Sequence, residues 1–164
     1  MTTEWRSNSR KARFLASIPQ ASIEAQEDTL AQRCKFNFSY WTQHDAGQDL
    51  ADCDAAWLAG LFRKLAEFGR EPLAYWKNQS VGKSGSVLAI YGAFPARSDF
   101  CHPVHVPHQA QWGRFRLDHS VRLIGFVLPH EYHDQFHASG VRFDCNTFYV
   151  VFLDQDHRFY KNRF

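Results

Sequence analysis

Four runs of β-branched and aromatic residues in the last third of the chain constrain the fold more than any other feature. They cover residues 112–117, 121–128, 147–154 and 156–160, and they are bounded by Asp, His, Ser, Asn and Gln. Such runs, broken by polar turn residues, read as a β-meander. The second and third are apolar at successive positions, so both of their faces must be covered by other parts of the chain. In the first, the two-residue period of a strand puts Arg114 and Arg116 on one face and Phe115 and Leu117 on the other. Arginine on a sheet face, with His157 and Tyr160 just beyond the last long strand, suits the handling of phosphate.

Upstream the period changes. Residues 35–41 alternate polar and apolar and predict a strand with Phe36, Phe38 and Tyr40 turned inward. From Asp54 onward Trp57, Leu58, Leu61, Phe62, Leu65 and Phe68 recur at helical spacing, with Asp52 or Asp54 available as cap and Gly69 as the stop. A second short helix is expected to open at Pro72 and to carry Leu73 and Trp76. Residues 87–92 predict a further strand. Gly82-Lys83-Ser84 lacks the preceding glycine of a phosphate-binding P-loop and is followed by a strand, so it reads as a flexible loop.

This order resembles the RelE/ParE toxin superfamily: an R-x-R strand, a polar turn, the apolar strand bearing Arg122, a further apolar strand, and a terminal cluster of His157, Arg158 and Tyr160. The resemblance spans residues 34–164. It implies an α+β fold in which an N-terminal strand and two helices pack on a curved antiparallel sheet. Residues 1–33 are then an extension, and residues 94–111 and 129–146 are loop insertions. It further implies an RNA endonuclease toxin that needs neither metal nor cofactor, in which the ribose 2′-OH attacks the adjacent phosphate. The implied catalytic residues are His157, Tyr160, Arg116 and Arg122, and the implied substrate-binding residues are Arg114, Arg158 and Lys161. The implied partners are RNA, including ribosome-bound mRNA, and a small antitoxin protein. A non-catalytic member of the same fold, binding RNA, gyrase or another protein, is the alternative.

The residue chemistry stands beside the resemblance. Guanidinium groups match phosphate in a bidentate way and stay charged at any working pH. Imidazole transfers protons near neutrality. The bland reading pairs Arg116 and Arg122 with Asp118, Asp154 or Asp156 as surface ion pairs. A straight strand over 157–160 would point His157 and Tyr160 to opposite faces, so one site can use both only where the segment turns.

The 164 residues include 45% hydrophobic types and 15 Phe, enough for one domain with a substantial core. A formal charge of +2 is too small for overall charge to drive nucleic-acid binding, so affinity for RNA has to come from a local patch. The first ten residues lack an apolar signal core and no run of 18 apolar residues occurs, which predicts a cytoplasmic protein away from membranes, with Cys34, Cys53, Cys101 and Cys145 reduced. Cys101, His102, His105 and His108 are zinc-ligand types without finger-like spacing, and a zinc-dependent hydrolase centred on them is a third reading. The arm 1–33 carries Arg6, Arg10, Lys11 and Arg13 beside Trp5 and Phe14, with a short helix expected over 22–33. It is either loosely attached or a contact for RNA or a partner protein.

Overall fold

The computed structural model describes residues 8–18, 22–83 and 85–161. The chain divides into two units, Met1–Ala31 and Gln32–Phe164. In the first, the helix α1 (Ser9–Ser17) is capped by Asn8, whose side chain accepts from the Arg10 and Lys11 amides, and none of its residues is buried. The helix expected over 22–33 is reduced to a 3-10 turn at Leu30–Gln32. Trp5 and Arg6 lie outside the described residues.

The second unit is α+β. Its elements are β1 (Lys35–Asn37), α2 (Ala55–Phe68), α3 (Leu73–Asn78), a small hairpin of β2 (Ser80–Val81) and β3 (Gly85–Ser86), β4 (Leu88–Gly92), β5 (Gln111–Arg116), β6 (Arg122–Val127) and β7 (Thr147–Asp154). Five strands form one sheet in the order β1-β7-β6-β5-β4. The last four are antiparallel, but β1 runs parallel to β7, so the sheet is mixed and not wholly antiparallel as expected. Parallel pairing needs a long crossover, and the chain supplies one: α2 and α3 lie between β1 and the rest of the sheet in sequence.

Asp54 starts α2 by accepting from the Trp57 amide, and Gly69 ends it. Pro72 sits at the cap position of α3 and not at its first helical residue. The Trp76 indole donates to the Phe68 carbonyl at 2.7 Å, tying α3 to the last turn of α2. Leu61 and Phe68 of α2 are buried, whereas Phe62 is 67% exposed, so the apolar stripe is narrower than its composition suggests. β1 is also shorter than expected. Phe36 packs against the core, but Phe38 turns outward.

Two apolar layers sandwich the sheet. Phe68, Leu73 and Trp76 of the helices meet Leu88, Phe115, Leu123, Phe148 and Leu153 on one face. On the other, Phe100, Val106 and Ala110 from the long 93–110 loop and Phe159 from the tail cover Trp112, Ile124, Phe126 and Phe152. This double cover is why β6 and β7 carry apolar residues without alternation; every residue of β6 is buried.

One irregularity sets the side-chain phase. β6 and β7 slip register between Ile124 and Gly125: Gly125 pairs with Val150, but Ile124 pairs with Phe152. Val151 is the extra residue of a β-bulge. Without it, Phe152 and Asp154 would share the helix side with Phe148 and Val150. With it, both face the loop-covered side, where Arg114 and Arg122 also lie.

Candidate functional site

The site grows from the end of β5, the start of β6, the end of β7 and the tail that follows. Cross-strand register places Arg116 opposite Arg122 and Arg122 opposite Asp154, with Arg114 opposite Ile124 on the next row. A cleft of about 230 Å³ opens there, lined by Tyr91, Arg114, Arg122, Ile124, Asp154, His157, Phe159 and Tyr160.

Arg122 forms its floor. It is 6% exposed, and its guanidinium donates to the carbonyls of Asp118 at 2.8 Å, Val121 at 2.9 Å and His119 at 3.1 Å. Burial, with repulsion from Arg114 and Arg116, pushes its pKa down to about 10, which still leaves a cation at neutral pH. Arg114 is half-buried and is held by a 2.9 Å bond from its guanidinium to the Ser86 carbonyl. Beside it lies Tyr91, whose hydroxyl burial pushes above the ordinary phenol range, an effect that the Arg114 charge partly offsets.

Residues after β7 do not continue the sheet. Asp154 is 1% exposed. Its carboxylate accepts from the amides of Asp156 at 3.2 Å, Arg158 at 3.0 Å and Phe159 at 2.9 Å. Within that turn His157 takes a left-handed backbone with φ 56°, which costs a non-glycine residue about 1 kcal/mol or more. Phe159 then inserts into the core at 1% exposure, a burial worth about 1.5–3 kcal/mol that fastens the turn. Tyr160 stacks on Tyr91 with ring centres 4.6 Å apart and planes 15° apart, and remains 47% exposed. The turn is what lets His157 and Tyr160 share one cleft with the arginines; the straight strand expected over 156–160 does not form.

Three of the expected site residues lie elsewhere. Arg116, at the strand end, donates from Nε to the Asp118 carbonyl at 3.4 Å and lines a neighbouring recess with Lys64, Glu67 and His119. Arg158 and Lys161 both pair with Asp99, which sits in the 93–110 loop. Hydrogen bonds from Lys161 and Arg158 hold the Asp99 carboxyl below its ordinary range. Conversely, Tyr91 and Asp154 line the cleft although neither is among the expected site residues. A lone carboxylate closing an otherwise apolar run is the available signal for Asp154. Tyr91 depends on the register of β4 against β5, which the sequence does not express.

A larger recess, about 470 Å³, runs between α2 and the β5–β6 turn. Its charged groups, Arg63, Lys64, Glu67 and Asp118, balance in sign, so it has no net charge to attract phosphate.

The cysteine-histidine loop disperses. The Cys101 amide donates to His44 Nε2 at 3.2 Å, His102 Nδ1 lies 2.9 Å from the Pro103 carbonyl, and His105 stacks on Tyr40. Among the described residues no three His, Cys, Asp or Glu side chains converge as metal ligands. Nor is any described helix long and apolar enough to cross a membrane.

Compared with known proteins, the chain has no significant match to any family model, any curated protein or any solved structure.

Proposed function

We propose that this protein is a metal-independent RNA endonuclease that cleaves by attack of a ribose 2′-OH on the adjacent phosphate. The observation that carries the reading is the meeting of Arg114, Arg122, His157 and Tyr160 in one cleft. Transesterification of this kind needs cations for the charge that grows on the phosphate oxygens and a group that moves a proton at the attacking or leaving oxygen. Arg122 supplies a buried charge fixed by three carbonyls, and Arg114 supplies the half-buried one that reaches the substrate side. His157, at the exposed rim, transfers the proton. Tyr160, held by its stack on Tyr91, offers a hydroxyl donor to the same phosphate.

Arg116 acts at a distance in this reading, adding to the positive field over Arg122. Arg158 and Lys161 brace the tail through Asp99 and do not contact phosphate. The order of one strand, two helices and four antiparallel strands is compatible with the α+β class that the resemblance to the RelE/ParE superfamily implies, while the parallel β1 departs from it. The toxin role, and RNA and an antitoxin as partners, are proposed from the resemblance.

Expression of the chain alone tests the reading. Growth arrest with fragmented mRNA is expected, relieved by His157→Ala and by Arg114→Ala. Unimpaired growth with intact transcripts would refute it.

A further inference from the structure

We infer that Asp154 is the positioning residue of the cleft, folding the tail into place while making no direct ion pair with the arginines that face the substrate; the inference rests on the nuclease reading above. Three charged side chains occupy one transverse row, Arg116, Arg122 and Asp154, and a buried carboxylate beside a buried guanidinium ordinarily pairs with it. Here, among the described residues, no ion pair joins Asp154 to either arginine. The Arg122 guanidinium turns to the carbonyls of Asp118, His119 and Val121. The carboxylate turns the other way, to three tail amides.

Two consequences follow from this division. Neutral carbonyls accept three of the Arg122 guanidinium hydrogens, and Asp154 offsets its charge only from a distance, so the floor of the cleft keeps an attraction for phosphate. Both oxygens of Asp154 are engaged by the turn that sets His157 in its left-handed conformation, Phe159 in the core and Tyr160 on Tyr91. The residue touches no reacting atom. It acts through the tail.

Asp154→Asn tests this with little change of size. Asparagine offers one oxygen where two are used, and its amide nitrogen meets the Phe159 N–H donor to donor. The turn should loosen while the arginines stay in place with one fewer negative charge nearby. Cleavage of a single-stranded RNA should therefore fall at least tenfold in kcat, whereas binding of a 2′-O-methyl oligonucleotide of the same sequence should hold or tighten. An equal loss of both would mean that the whole cleft had collapsed and would overturn the inference, as would wild-type kcat.

Amide hydrogen exchange supplies a readout independent of catalysis. The wild-type Arg158 and Phe159 amides should be protected like those of β7, and in Asp154→Asn they should exchange at least tenfold faster while 148–153 remain slow. Rapid exchange at Arg158 and Phe159 in the wild-type protein would overturn the inference whether or not the variant folds. Absence of RNA cleavage by the wild-type protein would refute the nuclease reading instead, with the exchange pattern still deciding the role of Asp154.

Discussion

Gly125→Ala should destabilise the protein strongly, and the reason lies in the bulge that organises the cleft. A Cβ at position 125 would sit 2.1 Å from the Tyr149 carbonyl oxygen and 2.7 Å from the Phe148 ring. Favourable carbon contacts lie at about 3.5–4.0 Å, so strand or ring must retreat by roughly 1 Å or more. Neither can do so freely. Phe148 is fully buried, and β7 is held between β1 and β6. Overpacking a core ordinarily costs about 1–3 kcal/mol, and a clash with backbone falls at the upper end. In a domain of this size about 3 kcal/mol lowers Tm by roughly 6–12 °C. Gly60→Ala is the control of opposite sign. It lies inside α2 with nothing within 4 Å of its Cβ, and alanine there should add about 0.5–1 kcal/mol. Urea and thermal unfolding followed by circular dichroism measure both. A Gly125→Ala protein within about 0.5 kcal/mol of wild type would refute the close approach of β6 to β7, and with it the slip that puts Asp154 on the same face as Arg114 and Arg122.

Other consequences are open to direct measurement. Leu61→Ala should cost about 2–3 kcal/mol, whereas Phe62→Gln, one position on and largely exposed, should change stability by less than about 0.5 kcal/mol in the same unfolding assays. Burial pushes the Cys34 thiol up to about 11, so a thiol reagent at neutral pH should label the exposed Cys101 in the native protein and reach Cys34 only on unfolding. The Asp99 carboxyl is held below its ordinary value of 3.8 by Lys161 and Arg158. A lowered carboxylate contributes stability that is present above the unfolded value and lost as pH falls through the folded one. The stability difference between wild type and Asp99→Asn should therefore persist above pH 3.8 and vanish on further acidification; a difference that grows in acid would contradict the pairing.

Much of the scaffold was legible because its signals are local. The whole of β7 could be bounded from its run of Thr, Phe, Tyr and Val, and Asp54 and Gly69 marked the ends of α2 with the stripe between them. The lack of alternation in β6 and β7 already required a cover on both faces. What stayed hidden depends on register or on distant partners. A run such as 149–153, apolar at every position, carries no phase, so the extra residue at Val151 leaves no trace in it. Arg158 and Lys161 looked available for phosphate because their counter-ion, Asp99, is 59 residues from the first and 62 from the second. The turn that unites His157 with Tyr160 depends on a carboxylate that ends a strand and on the burial of Phe159, neither of which follows from spacing alone. Parallel pairing of β1 with β7 is likewise a property of the crossover and not of the strand itself.

Cleavage of a single-stranded RNA by the purified protein in EDTA, with analysis of the new ends, tests the convergence of arginine and imidazole on one phosphodiester most directly. Fragments ending in a cyclic phosphate and beginning with a 5′-hydroxyl are expected from the wild-type protein, and His157→Ala should cleave about 10²–10⁴-fold more slowly. Undiminished cleavage by His157→Ala, or RNA left intact by the wild-type protein, would contradict it.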